Sequence, residues 1–333
     1  MIVRPDRQAA LRAPRADQGS GPVSETTRLV ARLTDRDRWI LRMLYEHRVL
    51  TTHQLAALAF PTLKIARRRL ALLHRYRVVD RFRPLRTRGS APSHWVLARA
   101  GAGVLAAEAD TDLRTLRYRP RHALDIAHSL HLAHTVGVND WFTALATTAP
   151  HQDARLLAWW SESRCYRLWG DLARPDSFGR LYTGPGAQLD FFLEYDLGTT
   201  SLTRVAAKLL GYAELARTTG VVTPVLVWVP TRSRETAARH ALRDTAASLA
   251  DPGAVPVATA AADILDPTAA QPSPADRVWL ALDATGTGRV HLHQLTTTWP
   301  RRTPPPENTD TEPAAVGEQI LPPPPPIFPD RQG

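Results

Sequence analysis

Three acids stand at alternate or near-alternate positions in the run Asp190-Phe191-Phe192-Leu193-Glu194-Tyr195-Asp196. If the run is a strand, its period of two puts Asp190, Phe192, Glu194 and Asp196 on one face, with Phe191, Leu193 and Tyr195 on the other. Carboxylates repeated along one face repel one another unless a cation stands near them. Pro175-Asp176 lies upstream, separated from Glu194 by 17 residues, and Lys208 lies downstream, about two turns into a helical stretch from about 200 to 217. Lys208 and Lys64 are the only lysines among 42 basic residues. In a chain so rich in Arg and Ala, a retained lysine is a candidate for chemistry that a compact ammonium performs better than a guanidinium. The plain alternative is structural, with the acids paired to Arg167, Arg174 or Arg204.

A second constellation is cationic. Of the formal net charge of +10, the segment from Thr34 to Arg99 accounts for the whole excess, with 15 Lys/Arg against 4 Asp/Glu. Leu63, Ala66, Leu70 and Leu73 form one apolar stripe at helical spacing, and Lys64, Arg68 and Arg75 fall on the opposite side, flanked by Arg67 and Arg69. Arg81, Arg83, Arg86 and Arg88 follow in a predicted hairpin. A helix with one apolar and one cationic face suits insertion into a major groove, its flanks holding phosphates and its N-terminal residues reaching base edges. Double-stranded DNA is therefore the expected partner, and these nine residues are the expected contacts.

Other chemistries find less support. His128, His131 and His134 are spaced i, i+3, i+6, with His122 before them, but two steps of three drift about 120° around a helix, which suits a polar face better than one ion. Cys165 is the only cysteine, so neither an intrachain disulfide nor a cysteine-based zinc site is available. No run of 18 apolar residues occurs, and the N-terminal stretch has no signal-peptide core, so a cytoplasmic protein with no membrane partner is expected.

The elements that must position these residues can be read in outline. Residues 1–32 read as a disordered arm. Over 33–110, capped helices begin at Thr34, at Thr51 or Thr52, and after Phe60-Pro61-Thr62. Strands at Val78–Val79 and His94–Leu97 and a last helix follow, an order that predicts a winged helix-turn-helix domain. Residues 120–249 carry a long helix to about 147, strand-like runs at 156–160, 188–196 and 221–229, and a helix between the last two, which predicts a small α/β domain. Residues 250–275 read as an Ala/Pro-rich linker, 276–300 as a hairpin packing on the α/β domain, and 301–333 as a disordered Pro-rich tail. The fold class is thus α+β with an α/β second domain.

The order Pro175-Asp176, Glu194-x-Asp196, then a helix resembles the core of the PD-(D/E)XK nucleases. That resemblance implies that Asp176 and Glu194, with Glu162 as a further acid, would hold Mg2+ while a lysine polarises the attacking water. The motif's own lysine position is occupied by Asp196, and Lys208 would be its migrated replacement. This departure favours a nuclease-like fold without catalysis over an active Mg2+-dependent enzyme. The stretches LTDRDRWILRMLYEHRVLTTHQLAAL, ARRRLALLHRYRVVDRFRP, RPD, FFLEYDLGT and AAKLLGYAEL resemble the bacterial replication-relaxation family over about 33–230, together with VWLAL near 278–282. The resemblance implies a DNA-binding accessory protein for replication, relaxation or mobilisation of a plasmid or other mobile element. It would act as a homodimer or beside replication or transfer proteins. A metal-dependent nuclease or nickase and a winged-helix transcriptional regulator are the alternatives.

Overall fold

Each of the first three described helices starts where a threonine side chain supplies an acceptor for a backbone N–H that the helix N-terminus leaves unpaired. In the computed structural model, which describes residues 31–84, 91–119, 126, 131–185, 187–262, 272–283, 288–299 and 322–324, Thr34 caps helix α1 (Asp35–His47) and Asp37 returns the bond to complete a capping box. Thr51 closes strand β1 (Leu50–Thr51), and with Gln54 it forms the same box at the start of α2 (Thr52–Ala59). Thr62 caps α3 (Leu63–Arg75). The chain divides into two compact units, residues 1–139 with 311–333, and residues 140–310.

In the first unit α3 leads into β2 (Val79–Phe82), then β3 (His94–Leu97) and α4 (Arg99–Glu108). The sheet order is β1-β3-β2, both pairings antiparallel. Ile40, Leu41, Met43 and Leu44 of α1, Leu55 and Leu58 of α2, and Ala66, Leu70 and Leu73 of α3 are all nearly or wholly excluded from solvent. Trp95 of β3 is buried, and its indole donates to Thr52 Oγ1 at 2.9 Å, so its one polar atom is satisfied inside. Gly101 lets α4 lie against β2, because a Cβ there would meet the Val78 carbonyl oxygen at 2.1 Å.

The unit boundary falls within α5 (Leu132–Thr148), later than the 110–120 interval expected. The start of this helix exchanges hydrogen bonds with buried groups of the first unit. Asn139 Nδ2 donates to the Val49 carbonyl at 2.7 Å, and Gln54 Nε2 donates to the Val136 carbonyl at 3.1 Å. The expected N-terminal arm and most of the Pro-rich tail lie outside the described residues, as do His122 and His128.

The second unit is built on a six-stranded sheet, β4 (Arg155–Ser161), β5 (Ser177–Gly184), β6 (Ala187–Tyr195), β7 (Val225–Val229), β8 (Val257–Ala261) and β9 (Leu280–Ala281), in that spatial order. β6, β7 and β8 run parallel, joined by helices α7 (Leu202–Thr219) and α8 (Arg232–Ala247); the other pairings are antiparallel. A short helix α6 (Glu162–Trp169) joins β4 to β5. Phe178, Phe192, Val225, Val227 and Val257 pack against Val205, Leu209 and Tyr212 of α7 and Ala238 and Leu242 of α8. On the opposite face of β6, Phe191 meets Trp141 and Phe142 of α5. The alternation along 190–196 is therefore real, with both of its faces covered.

One expectation is corrected here. The stretch 250–275, expected as a linker, supplies β8, a strand that pairs with β7 along its whole length. Its alanines hid it, because alanine carries no β preference of its own and a strand covered on both sides needs no alternation. The expected hairpin over 276–300 is reduced to β9 and a bridge between Trp279 and Val290, followed by the short helix α9 (Leu295–Thr298).

Gly101→Ala places a methyl group against backbone rather than against a movable side chain. We expect a loss of roughly 1–3 kcal/mol or more in urea unfolding, whereas Gly103→Ala, which meets nothing within 4 Å, should be neutral or slightly stabilising. Equal stabilities for the two variants would contradict this packing.

Candidate functional site

Two groups of side chains are brought together, one in each unit. On α3, Lys64, Arg67, Arg68 and Arg75 are exposed, and among the described residues no carboxylate forms an ion pair with them. Arg69 is different. It is half-buried against Asp37 of α1, with its Nε 2.8 Å from Asp37 Oδ1 and its Nη2 on Oδ2. Burial raises the Asp37 pKa, but Arg69 and the Thr34 donors outweigh it and hold the carboxyl below its usual range. One of the predicted DNA contacts is therefore spent inside the fold. Arg81 and Arg83 are exposed on and beyond β2; Arg81 lies 5.5 Å over the Trp95 ring and Arg83 Nε donates to Ser93 Oγ at 3.0 Å. Arg86 and Arg88 lie outside the described residues. Ile65, absent from the predicted set, is 46% exposed between Lys64 and the arginines. It is apolar, yet it lies outside the Leu63, Ala66, Leu70 and Leu73 stripe.

The second group forms where β5, β6 and α7 meet. Asp176 directly precedes β5; its backbone N–H donates to the Leu193 carbonyl at 3.1 Å, and its Oδ2 accepts from the Tyr195 backbone N–H at 2.7 Å. Those two bonds fix the carboxylate beside β6. Glu194 emerges from β6 on the α7 side, buried, with Oε1 accepting from the Tyr212 hydroxyl and Oε2 from Lys208 Nζ. Lys208 Nζ also lies 3.6 Å from Asp176 Oδ1 and 3.4 Å from the Arg174 carbonyl. Lys208 and Tyr212 are one helical turn apart, so one face of α7 presents both to the same carboxylate. Gly211 permits the approach, since a Cβ there would meet the Leu172 carbonyl oxygen at 2.3 Å.

The electrostatics follow from the crowding of two acids around one ammonium. Burial, and then the Asp176 charge, push Glu194 up to about 7, against the opposing pull of Lys208 and Tyr212. Burial works against the Lys208 charge, but Glu194 and Asp176 together hold it protonated beyond the ordinary lysine range. Tyr212, buried beside Glu194, is held in its neutral, donating form. Sequence reasoning missed Tyr212. The signal was its spacing of four from Lys208, but nothing in one sequence distinguishes that from an ordinary core tyrosine.

Asp176, Glu194 and Lys208 are thus brought together, while the other two predicted members are not. Asp196 shares the β6 face but is taken by Arg234 of α8 and by the Gly198 backbone N–H at 2.8 Å. Glu162, expected as a further metal acid, begins α6 in an exposed position, and among the described residues no group of three or more His, Cys, Asp or Glu is disposed to hold a metal. His131 and His134 join no such group either. The acids were expected to meet Arg167, Arg174 or Arg204 if structural. Asp190 instead pairs with Arg180 across the β5–β6 register, both contacts at 2.7 Å.

A mixed α+β chain with a cationic helix in one unit and a carboxylate–lysine–tyrosine cluster on a mixed sheet in the other is the class these observations define. A family model described as replication-relaxation matches residues 41–227, a span that runs from α1 through β7 and holds both groups, and the chain belongs to that family. No curated protein and no solved structure matches it. No described helix is long and apolar enough to cross a membrane.

The raised Glu194 pKa sets the sign of a pH effect. Glu194 binds its proton more tightly folded than unfolded, so its contribution to stability is present at low pH and is lost as pH rises from the ordinary carboxylate range through about 7. Between pH 5 and 7.5 the wild type should lose on the order of 1–3 kcal/mol relative to Glu194→Gln in urea unfolding. Parallel pH profiles for the two proteins would contradict the burial of an ionisable group there.

Proposed function

We propose that this chain is a DNA-binding accessory protein serving replication, relaxation or mobilisation of a plasmid or other mobile element. The observation that carries the reading is the exposed face of α3, where Lys64, Arg67, Arg68 and Arg75 stand without carboxylate partners among the described residues. Three helices followed by an antiparallel hairpin is the element order of a winged helix, in which the third helix enters the major groove. Lys64 and Arg68 then lie near the N-terminal end that reaches base edges, Arg75 and Arg81 reach phosphate, and Ile65 is placed to touch a thymine methyl group. Membership of the replication-relaxation family supports the plasmid context.

Binding of duplex DNA should weaken steeply with salt, and Arg75→Ala should reduce the slope of log affinity against log salt by about 1. Arg69→Ala should act otherwise, lowering stability by leaving Asp37 buried without its cation, with no specific effect on the slope of the folded protein. A salt-independent affinity would remove the DNA reading.

A second reading, a Mg2+-dependent nuclease, is favoured by the meeting of Asp176, Glu194 and Lys208. Two neighbouring carboxylates suit Mg2+, which binds through one or two carboxylates and keeps several waters. Asp176 and Glu194 would hold the ion, and it would supply Lewis-acid stabilisation of a phosphate. Lys208 places a fixed ammonium beside both acids, and Tyr212 fixes the Glu194 carboxylate by donating to Oε1. Supercoiled plasmid incubated with the protein and Mg2+ at pH 8, where Glu194 is ionised, should be nicked under this reading, and Lys208→Ala should abolish nicking while DNA binding persists. Intact plasmid under conditions of demonstrated binding would leave the cluster structural.

A further inference from the structure

Trp39 lies on the outward side of α1, between two arginines that are themselves tied down. Arg38 Nε and Arg42 Nη2 reach the Glu108 carboxylate of α4 at 2.9 and 3.2 Å. The indole of Trp39 does not turn into the core. Its Nε1 donates to the backbone carbonyl of Pro324, 285 positions away in the chain, at 2.7 Å. Pro322 and Pro323 are half-buried, while Pro324 is exposed.

The chemistry of the two partners is complementary. The run Pro322–Pro326 has no backbone N–H to donate, and the fixed proline φ favours an extended left-handed helix whose carbonyls have no internal partners. Such a segment offers only acceptors and apolar ring faces. An indole offers one donor, no acceptor and a broad apolar surface. Proline-rich ligands are recognised in this manner on aromatic-lined surfaces, and their ordering costs little because the chain is already stiff. Neither α3 nor the acid–lysine cluster uses this face of α1.

We propose that the face of α1 around Trp39 is a binding site for proline-rich segments, and that its ligand is the chain's own Pro322–Pro324. Pro322–Pro324 are then held within the chain on the unit that carries α3. The proposal stands apart from the DNA reading, since it uses none of the α3 cations.

The indole N–H signals of the full chain in 15N-edited NMR test it. Trp39→Phe, a change at an outward position, identifies the Trp39 signal by its loss. In the full chain carrying Pro322→Ser, Pro323→Ser and Pro324→Ser together, that signal should move while the other indole signals stay in place. A free peptide spanning residues 319–330 should return it saturably, and the same peptide with the three serines should not. About tenfold dilution of the wild type should leave the signal unmoved, as a contact within one chain requires. A Trp39 signal indifferent to the three substitutions would overturn the site. A signal that shifts on dilution would overturn the intramolecular ligand and assign the tail of a second copy instead.

Discussion

A carboxylate taken out of water loses several kcal/mol of solvation unless a cation and hydrogen-bond donors replace it, and four of the buried carboxylates among the described residues are paired across elements of this fold. Asp37 of α1 takes Arg69 of α3, Glu194 of β6 takes Lys208 of α7, and Asp196 takes Arg234 of α8. Glu235 of α8 takes Arg289 and also accepts from Thr259 of β8 at 2.8 Å. Each pair links two elements that are separate in the chain. Arg239 extends the last of them, donating to the Leu280 and Ala281 carbonyls at 2.7 and 2.9 Å, so the edge strand β9 is held by side chains as well as by its short pairing with β8.

This constraint sorts the chain's many cations into two populations. Those required by buried acids are withdrawn from any role at the surface, as Arg69, Arg234 and Arg289 are. On α3, Lys64, Arg67, Arg68 and Arg75 are left exposed, with no carboxylate ion pair among the described residues. At Lys208 the two roles overlap, because the ammonium that neutralises Glu194 and Asp176 is still partly exposed. A structural ion pair and a hydrolytic site would use the same three residues there.

Much of the local structure was legible. The threonine caps, the apolar stripe of α3 and the period of two along 190–196 are written in spacing, and each appears where that spacing puts it. The approach of Asp176, Glu194 and Lys208 was legible only through a resemblance, since the separations 176–194 and 194–208 carry no distance information of their own. β8 was not legible, because five residues rich in alanine, four of them buried, look like the linker around them. Nor was the pairing of Asp37 with Arg69, which joins positions 32 residues apart.

By itself, then, the sequence determined the local elements, the cationic excess between Thr34 and Arg99 and the alternation of acids on one strand face, since helix capping, periodicity and charge depend on neighbours a few residues away. Tertiary structure decided which charge meets which. It withdrew Arg69 and Asp196, left Glu162 at the surface, added Tyr212 to Glu194 and set Pro324 on Trp39. Those outcomes depend on desolvation and on distances between remote segments, quantities that exist only once the chain has folded.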